Sequence, residues 1–479
     1  MIDSVVSIGQ PATWATAIRY PATEFSPTRL PIVSGAVPAG LRGTLYRNGP
    51  ARLQRGQQRV GHWFDGDGAV LGVRFTDSAA IGVYRYVQTN GYQAEAQAGR
   101  YLFPNYGMVT PGGWWQRFGR PIKNAANTSV IALPDRLLAL WEGGEPHALT
   151  LDTLETIGLD NLGTLAGKPY SAHPKRDAKT GEIFNFGVTL GAKVQLQVYR
   201  SDASGQIRQT KAIPLSGIPL IHDFVLAGRY LIFCIPPVRI QPLPVLLQWR
   251  SYSEAMQWQP SLGTEVIVLD RDTLDVVSQL EADPWFQWHF GNGYELSDGS
   301  VILDIARYPD FQTNQRLREV ATGQIETLAP STLWQLRLNV QSSQVLTLQQ
   351  ILPRSCEFPV VNPQELGQPC RYTYLSMHPE SADQQRELYG TIARFDHQTG
   401  TLTEATLGEH HYPTEPIYAP DATQSEQSWI LTVVYDGDRQ CSELWIYAAD
   451  RLADAPVCRL SLPEVVPPGF HGTWHPAPA

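Results

Sequence analysis

The stretch Thr264-Glu-Val-Ile-Val-Leu-Asp-Arg-Asp-Thr-Leu274 decides the fold. It opens as a β-rich run, Thr264 to Leu269, and stops at an acid followed by a short turn, the grammar of a strand running into a tight hairpin. The same unit recurs in degenerate form as Leu151-Asp-Thr-Leu154, Leu338-Asn-Val-Gln341, Phe395-Asp-His-Gln-Thr-Gly400 and Ala449-Asp-Arg-Leu452. Around these units, runs of strand character lie at Leu137 to Trp141, Val194 to Tyr199, Tyr230 to Ile235, Val301 to Ile305, Thr332 to Leu338, Arg371 to Leu375, Ile392 to Phe395, Trp429 to Tyr435 and Leu444 to Tyr447. Few segments have the period of a long amphipathic helix. The acidic or amide positions 270, 339, 396 and 450 are spaced as four-stranded propeller blades of about 40 to 50 residues with insertions would space them. The expectation is an all-β protein, a seven-bladed β-propeller with a cap of loops and short helices over one face; a β-sandwich array with coincidental turns is the alternative.

Composition agrees with many short strands: 40 Gly and 37 Pro are spread over 479 residues, and 43% of the chain is hydrophobic, enough for a large core. No Ser/Gly or Pro-rich tract is long enough to act as a linker, so residues 1–479 are read as a single propeller domain. Within it, the irregular, Pro-rich residues 1–35 wrap the body, and insertions near 100–125 and 236–262 form the cap. A net charge of −9 without a basic block leaves out the electrostatic footprint of a nucleic-acid binder. Five cysteines, odd in number and without a Cys-x-x-Cys pair, suit free structural thiols in a reducing compartment. The start Met-Ile-Asp-Ser-Val-Val-Ser has no cationic and apolar leader pattern, which makes the cytoplasm the expected location.

No stretch reads as a membrane span, since the most apolar one, Tyr230 to Trp249, is broken by Pro236, Pro237, Pro242 and Pro244. Its end, Pro242-Leu-Pro-Val-Leu-Leu-Gln-Trp249, followed by Tyr252, Met256 and Trp258, suits an element dipping into a membrane surface, with a packed loop as the alternative. Gly112-Gly-Trp-Trp-Gln-Arg-Phe-Gly-Arg120 is a second candidate.

Four histidines stand far apart in distinctive contexts: Ser171-Ala-His173-Pro, Ile221-His222-Asp-Phe, His289-Phe-Gly-Asn292 and Phe470-His471-Gly-Thr-Trp474. Zinc fingers and helical His-Glu-x-x-His sites need ligands a few residues apart, so both are excluded. Inner strands of a propeller point at a common axis, where one histidine from each of four blades can meet on one ion. Neutral imidazoles leave the metal's charge uncompensated, and the usual remedy is a carboxylate accepting the Nδ1–H of a ligand ring. Glu142, Glu357 and Glu415, in Leu140-Trp-Glu142-Gly-Gly, Cys356-Glu357-Phe-Pro and Thr414-Glu415-Pro-Ile, have contexts suited to that work. Imidazole alone does not name the metal.

These contexts, together with Leu45-Tyr-Arg-Asn-Gly-Pro50, Phe64-Asp-Gly-Asp-Gly68 and Asn124-Ala-Ala-Asn-Thr128, resemble the carotenoid cleavage oxygenases from about residue 35 to the C-terminus. The likeness is greatest to the apocarotenoid-cleaving members. It implies an axial Fe(II) held by His173, His222, His289 and His471. It also implies carboxylate pairs Glu142 to His222, Glu357 to His289 and Glu415 to His471, with His173 unpaired. Members of the family use O2 to split a conjugated C=C bond into two carbonyl products. The resemblance therefore implies a carotenoid or apocarotenoid substrate, and 15,15' cleavage of β-apocarotenals to retinal as the reaction. By the same resemblance Phe64, Trp141 and Tyr308 line a long apolar tunnel, and Leu220 stands where the apocarotenoid-cleaving relative has Phe. Because carotenoids reside in bilayers, peripheral membrane contact is also expected. The other histidines (His62, His147, His378, His397, His410, His411 and His475) are assigned structural or surface roles. Two competing functions remain: a stilbene-cleaving dioxygenase, which typically carries Lys where Trp141 stands, and a propeller that binds partners without chemistry.

Overall fold

The recurring acid caps a hairpin turn. In the computed structural model, which describes residues 12–76, 79–117 and 119–477 (side chains of 114 and 116 excepted), Asp270 Oδ1 accepts the backbone N–H groups of Asp272 and Thr273. Asp396 does the same for Gln398 and Thr399, and Asn339 for Ser342. Four residues past each cap the chain enters the left-handed region, at Leu274 (φ 58°), Ser343 (φ 51°) and Gly400 (φ 70°). A type I turn closed by one left-handed residue matches the strand twist and is repeated because the geometry is repeated. Two members of the expected series differ. The cap of the 150–154 turn is Thr150, whose Oγ1 accepts from Glu155 N, rather than Asp152. Asp450 lies in a short 3-10 helix, Ala449–Arg451, and the hairpin of that sheet is capped by Asp436, with Gln440 at φ 53°.

All ten expected strand runs are strands. Among the described residues the strands as a whole form six sheets of four or more members, each mainly an antiparallel meander. The apolar faces of successive sheets share cores: Tyr46 and Val70 with Val130 and Leu137, Leu138 with Ile183, Phe184 and Val198 with Phe233 and Ile267, and so on to Leu431 and Ile446 with Leu45 and Leu71. The last core joins the end of the chain to its beginning, which makes the arrangement a closed, propeller-like ring. Hydrogen bonds also close the ring, because Gly472–Pro476 pairs with Gly43–Arg52 in the sheet of the N-terminal strands.

The sheets are not seven separate units as expected. One of the six has eight strands, two meanders (225–282 and 286–352) joined by a single parallel pair, Ala227 to Gly293. Gly293 permits the join: a Cβ there would lie 2.4 Å from Val225 Cγ1. The N-terminal segment is also more regular than expected. Residues 1–11 lie outside the described residues, but Phe25–Arg29 pairs with Ala80–Tyr86, and Ile32–Gly35 pairs with Cys458–Ser461. Pro27 is tolerated because the first of these is an edge strand. The two strands thus tie the first sheet to the last.

The two insertions meet each other: Thr110 N donates to Gln248 Oε1, Arg117 Nη1 to Gln248 O, and Ser253 N to Tyr106 O. Between Pro242 and Trp258 the side chains divide. Leu243, Leu246 and Trp249 are 61, 70 and 72% exposed, while Val245, Tyr252, Met256 and Trp258 pack inward against Phe286 and Trp288. Trp115 is exposed on the neighbouring insertion, and the Trp114 side chain lies outside the described residues. No helix among the described residues is long and apolar enough to cross a membrane. All five cysteines are free thiols.

Candidate metal centre

Each of the four histidines sits at the mouth of an axial strand. His173, His222 and His471 lie two, three and one positions before Lys175–Arg176, Val225–Ala227 and Gly472–Pro476, and His289 lies within Phe286–Glu295. Their ligand atoms all fall within 4.8 Å of one another, and all four residues are buried. His173 Nε2 and His222 Nε2 are 2.9 Å apart. His289 Nε2 is buried without any hydrogen-bond partner.

The carboxylates explain which nitrogen faces inward. Glu357 Oε2 accepts His289 Nδ1–H at 2.5 Å, and Glu415 Oε1 accepts His471 Nδ1–H at 2.9 Å. Both leave Nε2 as a bare acceptor aimed at the axis. Glu142 differs: its Oε1 is 3.2 Å from His222 Nδ1 and 3.9 Å from His173 Nε2, but the angle to His222 is not that of a hydrogen bond and the oxygen has no bonded partner. The expected pair is therefore a close contact rather than a formed bond. Burial, aided by Asp223, pushes the Glu142 carboxyl well above the usual range, although 33% of its side chain is open to the central cavity, which lessens that burial cost.

Electrostatics favour neutral rings at three of the four histidines. Burial and then the neighbouring imidazoles hold His173 and His222 well below their ordinary pKa, and burial lowers His471 as well. For His289 burial acts in the same direction but Glu357 outweighs it, so its pKa rises. Burial opposes ionisation of Glu415 too, yet His471, Arg47 and the Gly472 N–H keep it below the usual carboxylate range. Lone pairs of neutral imidazoles brought to 2.9 Å repel unless something accepts both. A cation does so: with metal–imidazole bonds of about 2.1 Å, adjacent ligand atoms at right angles lie about 3.0 Å apart. The donor set, the orphaned His289 Nε2 and this separation all fit a divalent transition metal.

Residues outside the expected set hold the site together. Asp223 accepts from Phe290 N and from its own neighbour Phe224 N, and pairs with Lys175 at 2.7 Å, tying the segments of His173, His222 and His289 to each other. Arg47 donates to Glu415 O and Phe470 O, and the Asn48 amide reaches Ala126 O and Ser129 O. Asn127 braces Phe64 O and Gly66 O, and Asn292 bonds Glu365 O, Gln368 O and Gly367 N. Adjacency to a ligand histidine was the available signal for Asp223 and Asn292; nothing local marks Lys175.

The description "Retinal pigment epithelial membrane protein" belongs to the family model that matches residues 18–476. The chain belongs to this family, that of the carotenoid cleavage oxygenases. It is 33% identical to the apocarotenoid-15,15'-oxygenase of Synechocystis sp. over 92% of each chain. It is also 28% identical to resveratrol cleavage oxygenase 1 of Aspergillus fumigatus, over 92% of this chain and 91% of that one. The crystal structure of cobalt-substituted Synechocystis ACO superposes with a TM-score of 0.89 at 31% identity, covering 97% of this chain and 98% of that chain. As a member of an oxygenase family, the chain is an enzyme.

A cavity of about 710 Å³ runs past the cluster and is bordered by His222, His289 and His471. Phe64, Trp141, Leu220 and Tyr308 all line it. Phe64 packs edge-on against Trp288 and Phe470, and Trp288 in turn packs edge-on over His222, so an aromatic wall reaches the centre. Tyr308 has a second attachment: its hydroxyl donates to Glu357 Oε1 at 3.2 Å. Of the remaining histidines, His378 also borders the cavity, but Ser355 Oγ and Glu387 O occupy both its ring nitrogens. His62 is likewise engaged at both nitrogens, by Phe64 N and Asn314 O.

Proposed function

We propose that this enzyme is a non-haem Fe(II) dioxygenase that cleaves one conjugated C=C bond of an apocarotenoid with O2, the 15,15' bond of a β-apocarotenal giving retinal. One observation carries the reading: the imidazole nitrogens of four buried histidines converge on one point, and three of those rings, His222, His289 and His471, form part of the wall of an aromatic-lined cavity. In this reading His173, His222, His289 and His471 ligate the iron, Glu357 and Glu415 orient two of them, and Glu142 turns onto His222 Nδ1 once the ion fixes that ring. Iron(II), when bound, supplies the redox chemistry by which O2 adds across the double bond. Both oxygen atoms end in the two carbonyl products, so no external reductant is needed.

The protein's own residues do the rest. A polyene enters a dry site because its apolar area leaves water, and Phe64, Trp141 and Leu220 hold it as a flat rod beside the histidines. Ring faces of the aromatic wall stabilise positive charge developing along the chain. The Glu357 carboxylate accepts from His289 Nδ1 and from the Tyr308 hydroxyl at once, coupling the ligand ring to the cavity wall. Leu220 in place of Phe widens the passage beside His222.

We further read the eight-stranded sheet as two blades meeting at Ala227 and Gly293, which makes seven in one domain; the core between them (Ile232 and Val268 with Leu303 and Leu336) resembles those between the other sheets. Exposed Leu243, Leu246 and Trp249, with Trp115 on the adjoining insertion, are the proposed contact with a membrane surface on the cytoplasmic side.

The test is product identification by chromatography and mass spectrometry after incubating the iron-loaded enzyme with β-apocarotenals, β-carotene and resveratrol. Retinal from a β-apocarotenal is the expected product. Trp141 lacks the cationic amine that a lysine at this position would offer a phenol, so higher catalytic efficiency on resveratrol would replace this reading with the stilbene one.

A further inference from the structure

The cavity has two chemically different arms. One, bounded by Trp141, Leu220, Val188, Leu190 and Ile122, reaches exposed side chains and is largely apolar. The other continues past the histidines in the opposite chemical sense. From His289 the rings of Phe358 (5.1 Å between centroids), Tyr389 (6.4 Å further) and His378 (4.6 Å) succeed one another, and Arg316 borders the cavity beside them.

Arg316 is a half-buried cation on the helix Gln312–Val320 with no ion pair among the described residues. Its guanidinium donates to backbone carbonyls only: Nη1 to Thr327 O and Gln385 O, Nη2 to Glu387 O. The carboxylate of Glu387 is turned away to the Tyr412 hydroxyl. A guanidinium has five N–H donors, and those three bonds leave donors unused. Its field reaches the arm: it holds His378 below its ordinary pKa, second to burial. Tyr389, Tyr308, Glu319 and Asp383 face it only through longer-range attraction. An unpaired charge in a cavity wall is costly unless a ligand completes it.

We propose that Arg316 anchors the oxygen-bearing end of the substrate, a terminal carbonyl of aldehyde or carboxylate type, in the arm beyond the histidines. The polyene then lies across the centre, and its hydrocarbon end occupies the arm of Trp141 and Leu220. This makes Arg316 a determinant of specificity rather than of the oxygen chemistry. A carboxylate gains most, because it can take two parallel N–H bonds.

The inference rests on the apocarotenoid reading, and its test separates the two. Wild-type enzyme, Arg316→Met and Arg316→Lys are compared on a β-apocarotenal and on β-carotene, which lacks oxygen. Arg316→Met should raise KM for the apocarotenal by about tenfold to a hundredfold with kcat little changed, and leave β-carotene within about twofold. Arg316→Lys should fall between. Equal effects on both substrates, or none on either, overturn the proposal. Because the side chain also bonds three carbonyls, a second measurement avoids variants altogether. On the wild-type enzyme an apocarotenoic acid should inhibit at least tenfold more strongly than a hydrocarbon polyene of equal length, and equal inhibition rejects the anchor. Absence of cleavage of any apocarotenoid by wild-type enzyme would instead reject the functional reading.

Discussion

Replacing Glu357 by Gln isolates the charge behind a ligand histidine. Its Oε2 accepts from His289 Nδ1 at 2.5 Å and from Phe358 N at 2.6 Å, while Oε1 accepts from the Tyr308 hydroxyl at 3.2 Å. A glutamine carbonyl can keep the first two bonds, and its amide can donate to the tyrosine oxygen, so the shape and the number of bonds survive. What disappears is the negative charge that raises the His289 pKa and strengthens that ring as a donor to a cation. Losses of this kind cost about 10- to 100-fold in metal affinity or activity, or about 1.4 to 2.8 kcal/mol. Glu357→Ala would differ, since it strands three buried donors at about 1 to 3 kcal/mol each and should lower Tm markedly. Iron affinity by chelator competition, turnover and thermal unfolding on the Gln, Ala and wild-type proteins separate the cases. A Gln variant that binds iron and turns over within about twofold of wild type would refute the argument that this carboxylate's charge matters.

Three further outcomes are expected. His289→Ala should lose both the bound iron, measured as metal per chain, and turnover, whereas chelation of wild-type protein should abolish activity reversibly on adding Fe(II). Asp223→Asn weakens the bond to Lys175 and should lower Tm while reducing iron occupancy; unchanged occupancy would show that the Asp223 bridge does not position the ligands. Leu243→Glu with Leu246→Glu, both on exposed positions, should leave cleavage of detergent-solubilised substrate near normal but weaken liposome co-sedimentation and turnover of bilayer-embedded substrate; unchanged co-sedimentation would assign this surface another role.

What could be read in the sequence divides along a physical line. Strands and caps are local, so Thr264–Asp270 and its Asp270 turn were legible, as were the strands around Asp396. The same locality misled at Asp450, where an acid after a strand leads into a 3-10 helix, and at 151–154, where Thr150 does the capping. Pro27 and Pro31 hid two edge strands whose stability comes from the sheets they join. The histidines were legible because a ring fold has one place where far-separated inner strands meet. Their partners were legible only where a single pair suffices: Glu357 and Glu415 form the expected bonds, yet Glu142 depends on ring positions that an ion would fix. Although Asp223 adjoins His222 and Arg47 lies in the Leu45–Pro50 motif, their partners, like the role of Lys175, are set by contacts created by ring closure, which no local pattern encodes. Arg316 belongs to that class as well. On its helix it resembles any surface cation in a charged run, and only the fold places it, without a carboxylate partner, against the cavity beyond the histidines.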